Sequence, residues 1–344
     1  MFITAVDDNE FMGFASFAAS PMPIELTPHW SEFDARVPGR TPWRRLAVWE
    51  RADAPQPVAL LAFTRYQGRG FTYVWARHAP WWLHLSAGER PTADDERQLR
   101  EALTSYLRTE APGDAFARWD AWHRASELKT LLQTTTYDRT VTLDLTQPAD
   151  AYLASLNKKF RYTVRQALAR TELAVSEEPA LTQEAFGELY EVYRETAERD
   201  GFGIYDAEVY WAMIQALRPH SRVFVARDLA DRRPTSPVVA WAIFTTYDGV
   251  VQYFYAAGNA RARATDATVR LLWEAAEVFR SEGAHTMDLM GIDSELAPSL
   301  AGVGIFKRKW GEPVEVRPSW DVPLKPGLYA GLRLALRLKR LLRR

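Results

Sequence analysis

In the first half of the chain, some segments carry apolar residues at helical spacing, and others are short apolar runs typical of strands. Helices are predicted at Phe11–Ala19, from Thr27 onward and at Thr92–Arg108, where leucines recur on one face. The predicted strands are Arg45–Trp49, Val58–Phe63, Phe71–Trp75, Phe116–Asp120 and Thr140–Leu145. The order of helices, a strand meander, a helix and more strands predicts a mixed α/β or α+β domain.

The second half repeats this order. The predicted helices are Tyr152–Arg170, Phe186–Arg199, Val209–Leu217 and Ala267–Ser281, and the predicted strands are Arg222–Ala226, Val238–Phe244, Val250–Tyr255 and Met287–Ile292. Two helices, three antiparallel strands, a helix and a strand resemble the acetyltransferase-like (GNAT-like) fold. The chain therefore reads as one α/β unit used twice.

Composition excludes several kinds of site. The 344 residues are 47% hydrophobic, which is a core-forming composition, and the net charge of −1 confines any nucleic-acid or membrane contact to local patches. There is no cysteine, so disulfides, thiol nucleophiles and Cys-ligated zinc are excluded. The six histidines lack metal-binding spacing, and we expect no metal. The N-terminus lacks the pattern of a signal peptide, and we expect a cytoplasmic protein.

The junction that would bind coenzyme A carries too few glycines. An acetyl-CoA-dependent enzyme needs a glycine-rich loop that opens the helix after the meander and wraps N–H groups around pyrophosphate. That junction is Ala257–Thr265, with a single glycine and two arginines. The pattern argues against acetyl-CoA as donor while leaving the fold open.

Two segments are strongly basic. From Asn157 to Arg170 there are five cations and no acid, which indicates either a solvated helix face or a phosphate-binding face. From Lys325 to Arg344 there are seven cations and no acid. In this tail, Arg333, Arg337, Arg340 and Arg344 share one helical face, with Leu334, Leu338, Leu341 and Leu342 opposite. The tail is either a packed helix with a solvated face or a helix that lies on an anionic membrane.

The stretch Gly302–Gly311 carries the main chemical candidate. It follows the apolar run Met287–Ile292 and a polar loop, and it contains the pair Phe306-Lys307 between glycines and aromatic residues. A lysine beside an aromatic ring at the end of a sheet suits a site that holds an anion or polarises an oxygen. An ordinary surface lysine would show the same local pattern.

The order and spacing of several motifs resemble the FemABX family of non-ribosomal peptidyltransferases. The motifs are Leu143-Asp144-Leu145, Asn157–Ala167, Thr196–Phe202, Gln252–Gly258, Met287–Ile292 and Ile305–Gly311. Members of this family move an amino acid from aminoacyl-tRNA onto a peptidoglycan precursor. The resemblance spans nearly the whole chain and is densest from Val141 to Tyr329.

This resemblance implies a domain organisation and a catalytic pair. Residues 1–141 plus 320–344 would form a first GNAT-like domain that binds the precursor, and residues 142–319 a second one that holds the tRNA 3′ end. Lys307 would stabilise the oxyanion of acyl transfer, and Phe306 would shape the site. No side-chain base is implied. No cofactor is expected beyond aminoacyl-tRNA as co-substrate.

The resemblance also implies substrate-binding positions, some of which depart from the family. Asp120 and Tyr255 fall on positions of the precursor groove. The position of a diphosphate-binding lysine, four residues after the matching Trp30, is Asp34, and Arg36 is the nearest cation. The position of a second such cation is Tyr205. Phosphate binding would therefore shift to Arg161 and Arg165, or the acceptor is not UDP-linked.

We thus expect a monomeric aminoacyltransferase that builds the interpeptide bridge. Its partners would be aminoacyl-tRNA and a peptidoglycan precursor, with lipid II favoured over UDP-MurNAc-pentapeptide, and the basic tail would contact the membrane surface peripherally. Two alternatives are an N-acyltransferase that uses an acyl-CoA and a non-catalytic protein that binds precursors or RNA at the membrane surface.

Overall fold

The computed structural model describes residues 1–132, 136–231 and 236–341. The chain divides into two compact units, each with its own sheet. The first unit is Met1–Asp138, Ser294–Ser299 and Glu315–Arg344; the second is Arg139–Asp293 and Leu300–Val314. The boundaries expected from sequence, after residues 141 and 319, lie a few residues from these, and the assignment of Ser294–Ser299 to the first unit was not expected.

In the first unit, two helices precede a meander of strands, and the C-terminal segment completes the sheet. Its elements are β1 Phe2–Val6, α1 Asp8–Ala15, α2 Pro28–Arg36, β2 Arg40–Trp49, β3 Ala59–Gly68, β4 Phe71–Trp75, β5 Trp81–Trp82, α3 Ala93–Glu110, β6 Phe116–Asp120 and, at the end of the chain, β14 Ser319–Pro323 and α11 Pro326–Leu341.

The second unit holds the remaining elements. They are β7 Arg139–Asp144, α4 Ala149–Ser155, α5 Lys158–Ala169, β8 Leu173–Glu177, α6 Gln183–Asp200, α7 Ala207–Ala216, β9 Ser221–Asp228, β10 Val238–Tyr247, β11 Val250–Gly258, α8 Ala260–Thr265, α9 Ala267–Ser281, β12 Thr286–Asp288, α10 Ala301–Lys307 and β13 Pro313–Glu315.

The two sheets have the same pairing pattern. The first runs β1-β2-β3-β4-β6-β14 and the second β8-β9-β10-β11-β12-β7-β13. In both sheets three antiparallel pairs are followed by one parallel pair and then an antiparallel pair. The parallel pairs, β4 with β6 and β11 with β12, are joined through helices α3 and α9, as parallel connections require. The prediction of one α/β unit used twice is confirmed.

Helix α9 shows why the sequence predicts the second core well. Its buried side includes Val269, Leu272 and Phe279, which pack with strand residues of β9 to β11 in one continuous cluster. These positions recur at helical spacing, so periodicity locates both the helix and its buried face.

Two predicted elements differ in the structure. The single helix predicted over Tyr152–Arg170 is broken into α4 and α5, because the Asn157 side chain accepts a hydrogen bond from the Phe160 N–H at 2.9 Å and caps a new helix. The strand predicted over Met287–Ile292 is shorter, since β12 ends at Asp288. Met290 has a φ of 65°, in the left-handed region that interrupts a regular strand.

A buried ion pair ties the C-terminal segment to the first unit. The Arg118 Nε on β6 donates to the Asp321 carboxylate on β14 at 2.7 Å, and both side chains are at most 2% exposed. Asp321 also accepts from the Leu132 N–H at 3.1 Å and from the Tyr329 hydroxyl at 3.0 Å. The carboxylate is therefore bonded from three directions, which is what a charge needs to remain buried.

Helix α11 packs one side against the first unit. Tyr329 is 3% exposed, and Leu332 and Leu336 pack with it against Phe116. The leucines predicted to lie opposite the arginines are exposed at Leu334, Leu338 and Leu341. Two predicted members of these faces, Leu342 and Arg344, lie outside the described residues, as does the side chain of Arg340. Among the helices described, none has the length and apolar character needed to cross a membrane.

Replacing Asp321 by Ala should lower the free energy of unfolding by about 3–5 kcal/mol, because Arg118 would remain buried without its partner. Urea denaturation followed by circular dichroism measures this change. The matched control is Glu101→Ala, which removes the exposed partner of Arg97 and should cost only a small fraction of that value. Equal effects of the two substitutions would contradict the role of the buried pair.

Candidate active site

Phe306 and Lys307 lie at the end of a short helix that the sequence pattern does not predict. Helix α10 runs from Ala301 to Lys307. Gly304 within it allows a close approach: a Cβ at this position would lie 1.9 Å from the Asp293 carboxylate, which forms an ion pair with Arg308 at 2.6 Å. The glycine thus makes room for a side chain and does not mark a turn.

Two backbone carbonyls hold the Lys307 ammonium. Its Nζ donates to the Met290 carbonyl at 3.1 Å and to the Gly291 carbonyl at 2.9 Å. Both carbonyls directly follow β12. An ammonium has three N–H donors, and no third acceptor for Lys307 occurs within residues 1–132, 136–231 or 236–341. One donor is therefore available to a ligand.

The surroundings of Lys307 favour its neutral form more than water does. Burial lowers the pKa of the Lys307 ammonium from 10.5 to about 8, and the nearby Asp288 carboxylate opposes this shift. Asp288 is itself held, since it accepts from the Met290 N–H at 2.7 Å and from the Thr140 hydroxyl. Lys307 is thus mostly charged at neutral pH and loses its proton as the pH rises through about 8.

The site lies just beyond the end of strand β12. Strand β12 pairs in parallel with β11 over Thr286–Asp288 against Val250–Gln252, whereas β11 continues to Gly258. The Met290 and Gly291 carbonyls follow the point where this pairing ends, and they hold the Lys307 ammonium there.

Aromatic contacts join Lys307 to the basic helix α5. The Phe306 ring lies 6.2 Å from the ring of Trp310, and Trp310 lies 5.0 Å from the ring of Phe160 on α5. Trp310 is fully buried, and its carbonyl accepts a hydrogen bond from the Tyr152 hydroxyl at 2.5 Å. These contacts fix α5 near the end of α10.

The cations of α5 fall into two groups. Lys158, Lys159 and Arg165 are exposed and form no ion pair with any residue that the structure describes. Arg161 instead donates to the Ala154 carbonyl at 2.6 Å, and Arg170 pairs with Glu172 at 3.0 Å. Of the two arginines singled out from the sequence, Arg165 is therefore the better placed to bind a phosphate.

Tyr205 and Tyr255 come together around a third tyrosine. The Tyr210 ring lies 6.2 Å from the ring of Tyr205 and 4.9 Å from that of Tyr255. A cavity of about 370 Å³ in the same unit is lined by residues of α6 and the loop that follows it, among them Arg194, Glu198 and Phe202. Tyr205 is 51% exposed, so its ring is accessible to a ligand.

In the first unit, Asp120 belongs to a buried polar cluster. The Ser319 hydroxyl donates to its carboxylate at 2.5 Å. Burial raises the pKa of Asp120, while the charges of Arg317 and His78 oppose the shift. Arg317 is fixed in turn, since it donates to the Pro80 carbonyl at 2.6 Å and to the His78 carbonyl at 3.2 Å.

Asp34, which takes the place of the phosphate-binding lysine that the motif resemblance implied, has a structural role in this protein. Asp34 is 1% exposed, and it pairs with Arg40 at 3.0 Å and accepts from the Thr64 hydroxyl at 2.7 Å. Trp30 on the same helix is buried and lines a cavity of about 280 Å³. Arg36 is exposed and has no ion-pair partner among the described residues.

A carboxylate occupies the start of α8, where a coenzyme-A enzyme would bind pyrophosphate. The Ala260 N–H donates to the Glu195 carboxylate at 3.2 Å, and the Ala262 N–H donates to the Asn259 side chain at 3.0 Å. Arg261 is paired with Asp228 at 2.6 Å. Glu195 would repel a pyrophosphate at this place. The local structure therefore argues against coenzyme-A binding, as the lack of a glycine-rich loop does.

Comparison with known proteins gives the fold. The crystal structure of FemX matches with a TM-score of 0.74 over 97% of this chain and 100% of FemX, at 15% identity. The fold is that of FemX. Residues 155–297 match the family described as acetyltransferase (GNAT) domain, so the second unit carries an acyltransferase-type domain. The FemX-like fold confirms two tandem GNAT-like domains.

Two further structures share this architecture at lower similarity. A tandem GNAT protein from the clavulanic acid biosynthesis pathway matches with a TM-score of 0.54 over 94% of this chain and 98% of its own, at 12% identity. L-PGS from Bacillus licheniformis matches with a TM-score of 0.53 over 96% of both chains, at 12% identity. A search of proteins with curated functions gives no match.

Sequence reasoning missed the partners of Lys307. Met290 and Gly291 act through their carbonyls, which no side-chain pattern reveals. Asp288 was the detectable signal, because it is an acidic residue within the apolar run Met287–Ile292.

Titration of Lys307 should give a pKa of about 8. The chain contains seven lysines. NMR of lysine-labelled protein, with Lys307→Arg used for assignment, can therefore follow this residue singly. Replacing Asp288 by Asn should lower the pKa further, because the carboxylate stabilises the ammonium. A value near 10 in the unsubstituted protein would contradict the buried site.

Proposed function

We propose that this chain is an aminoacyltransferase that moves an amino acid from aminoacyl-tRNA to an amine of a peptidoglycan precursor. The observation that carries the proposal is the Lys307 ammonium, held by two carbonyls just beyond the end of the β11–β12 pairing in an acyltransferase-type domain. The FemX-like fold and the motif resemblance to FemABX proteins support the choice of donor and acceptor.

In the proposed reaction the acceptor amine attacks the carbonyl carbon of the aminoacyl ester. The carbonyl oxygen gains negative charge as the C–N bond forms. The resulting tetrahedral intermediate collapses when the C–O bond to the terminal ribose breaks, and the C=O bond forms again. The ribose oxygen leaves with a proton that comes from the amine. The products are an amide and a tRNA with a free hydroxyl, so no oxidant or other reactant is required.

Lys307 suits the oxyanion step. Two of its N–H donors are fixed by the Met290 and Gly291 carbonyls, and the third can bind the developing oxyanion. Because the carbonyls orient the ammonium before substrate arrives, little reorganisation is needed in the transition state. The ester is already activated, so positioning and charge stabilisation can supply most of the rate.

Helix α5 supports a nucleic-acid donor. Lys158, Lys159 and Arg165 are exposed cations without ion-pair partners among the described residues, and α5 is fixed near α10 through Phe160 and Trp310. Exposed cations beside an acyl-transfer site suit the phosphates of a tRNA 3′ end.

For the acceptor we propose lipid II in preference to UDP-MurNAc-pentapeptide. The two positions that would hold a UDP diphosphate are Asp34, which is buried against Arg40, and Tyr205. Neither offers a cation for a soluble UDP-linked precursor, while the exposed leucines and the cations of α11 suit a membrane-bound acceptor. A stem-peptide contact by Asp120 rests on the motif resemblance alone, because its carboxylate is 5% exposed and accepts from the Ser319 hydroxyl.

An acyl-CoA donor is the main rival, and the start of α8 speaks against it. With Glu195 bonded to the Ala260 N–H, acetyl-CoA should not raise the melting temperature of the protein. Thermal denaturation with and without millimolar acetyl-CoA measures this. A rise in melting temperature that grows with acetyl-CoA concentration would favour the rival donor.

Replacing Lys307 by Ala should reduce the transfer rate by about 10²–10³-fold, because an oxyanion contact is lost. Precursor binding, measured by calorimetry, should be unchanged. The matched control is Lys309→Ala, which removes an exposed lysine two residues away and should leave most of the rate. Unchanged transfer in the Lys307 variant would refute the catalytic assignment.

A further inference from the structure

Helix α11 exposes a stripe of leucines on the side away from its packed face. Tyr329, Leu332 and Leu336 cover the first unit, as described above. Leu334, Leu338 and Leu341 are 59%, 52% and 68% exposed. Their spacing of four and three residues places them on one face, and we call them the leucine stripe.

The leucine stripe is more than scattered surface apolarity. It extends over about 10 Å of helix at 1.5 Å per residue. Single exposed apolar side chains are common, whereas a continuous apolar stripe on a helix that is already packed on its other side marks an interaction surface. The packed face shows that the stripe is not needed to attach α11 to the first unit.

The charge around the stripe selects its partner. Residues 325–344 contain seven cations and no acid. Arg337 and Lys339 flank Leu338 in the sequence, and both are exposed. A second copy of the helix would bring these like charges together without a compensating carboxylate, which is unfavourable. A partner with an anionic surface layer over an apolar interior would accept both the leucine stripe and the cations beside it.

We propose that α11 docks on an anionic lipid bilayer, with the leucine stripe inserted at the boundary between headgroups and acyl chains. Arg337 and Lys339 would then contact lipid phosphates, since long cationic side chains reach the headgroup level while their stems remain apolar. Docking holds the first unit at the membrane surface. This proposal does not depend on the acyl transfer.

Sedimentation of the full chain with vesicles tests the proposal. Binding is expected to vesicles with 30% phosphatidylglycerol, to be weak on pure phosphatidylcholine, and to fall as salt rises from 50 to 500 mM. The triple variant Leu334→Ser, Leu338→Ser, Leu341→Ser should bind at least about tenfold more weakly, because three apolar side chains no longer insert. The charge variant Arg337→Glu, Lys339→Glu should lose binding similarly.

A matched control separates docking from general stickiness. Leu229→Ser removes a leucine that is 50% exposed in the second unit and should bind vesicles like the parent protein. Circular dichroism checks that each variant is folded, and the charge variant decides if the triple variant is not. The proposal is overturned if the parent protein does not sediment with anionic vesicles or if neither α11 variant weakens binding. It is also overturned if light scattering shows a dimer that becomes monomeric in the triple variant.

Discussion

The candidate site of the second unit depends on one contact, the Lys307 ammonium held by the carbonyls of Met290 and Gly291. The contact requires three local features at once. Met290 must adopt a left-handed φ, β12 must end at Asp288, and α10 must place Lys307 at its last turn. Each feature breaks the regularity of an element. Such departures cluster where a structure serves a site more than its own stability.

Partial burial gives this lysine its chemical character. An ammonium that is removed from water is less stable than a solvated one, and its pKa falls. It stays charged at neutral pH because the carbonyls and Asp288 replace water. The same low-dielectric surroundings strengthen any interaction with an oxyanion. Burial thus destabilises the charged form of Lys307, while its two carbonyl partners leave a third N–H donor already oriented.

The two units share a strand order but differ at the strand that follows the crossover helix. In the first, the strand after the crossover is β6, and its Arg118 is consumed by the buried pair with Asp321. In the second, the corresponding strand β12 ends at Asp288, and the carbonyls that follow it hold the Lys307 ammonium. The equivalent place is therefore a buried ion pair in the first unit and a lysine with one remaining N–H donor in the second.

The sequence predicts the regular parts of this fold because they follow periodicity. Helix α9 and strands β4 and β6 match their predicted bounds, since the apolar residues of α9 recur at helical spacing and the two strands are short runs that contain aromatic residues. Helix α10 is not predicted because its seven residues include Gly302 and Gly304, and glycine is a poor helix former, although Gly304 makes room for Asp293. From the sequence, Lys307 could be singled out as a candidate, but its surroundings could not. Its partners are backbone carbonyls, which depend on Met290's conformation and leave no mark in the sequence.

The most direct test of the account is transfer itself. Purified protein is incubated with a panel of radiolabelled aminoacyl-tRNAs and, in separate reactions, with lipid II and UDP-MurNAc-pentapeptide. The account predicts a labelled amino acid in amide linkage to the stem peptide of lipid II, with release of deacylated tRNA. No transfer from any charged tRNA, together with acylation of the same acceptors by an acyl-CoA, would contradict it.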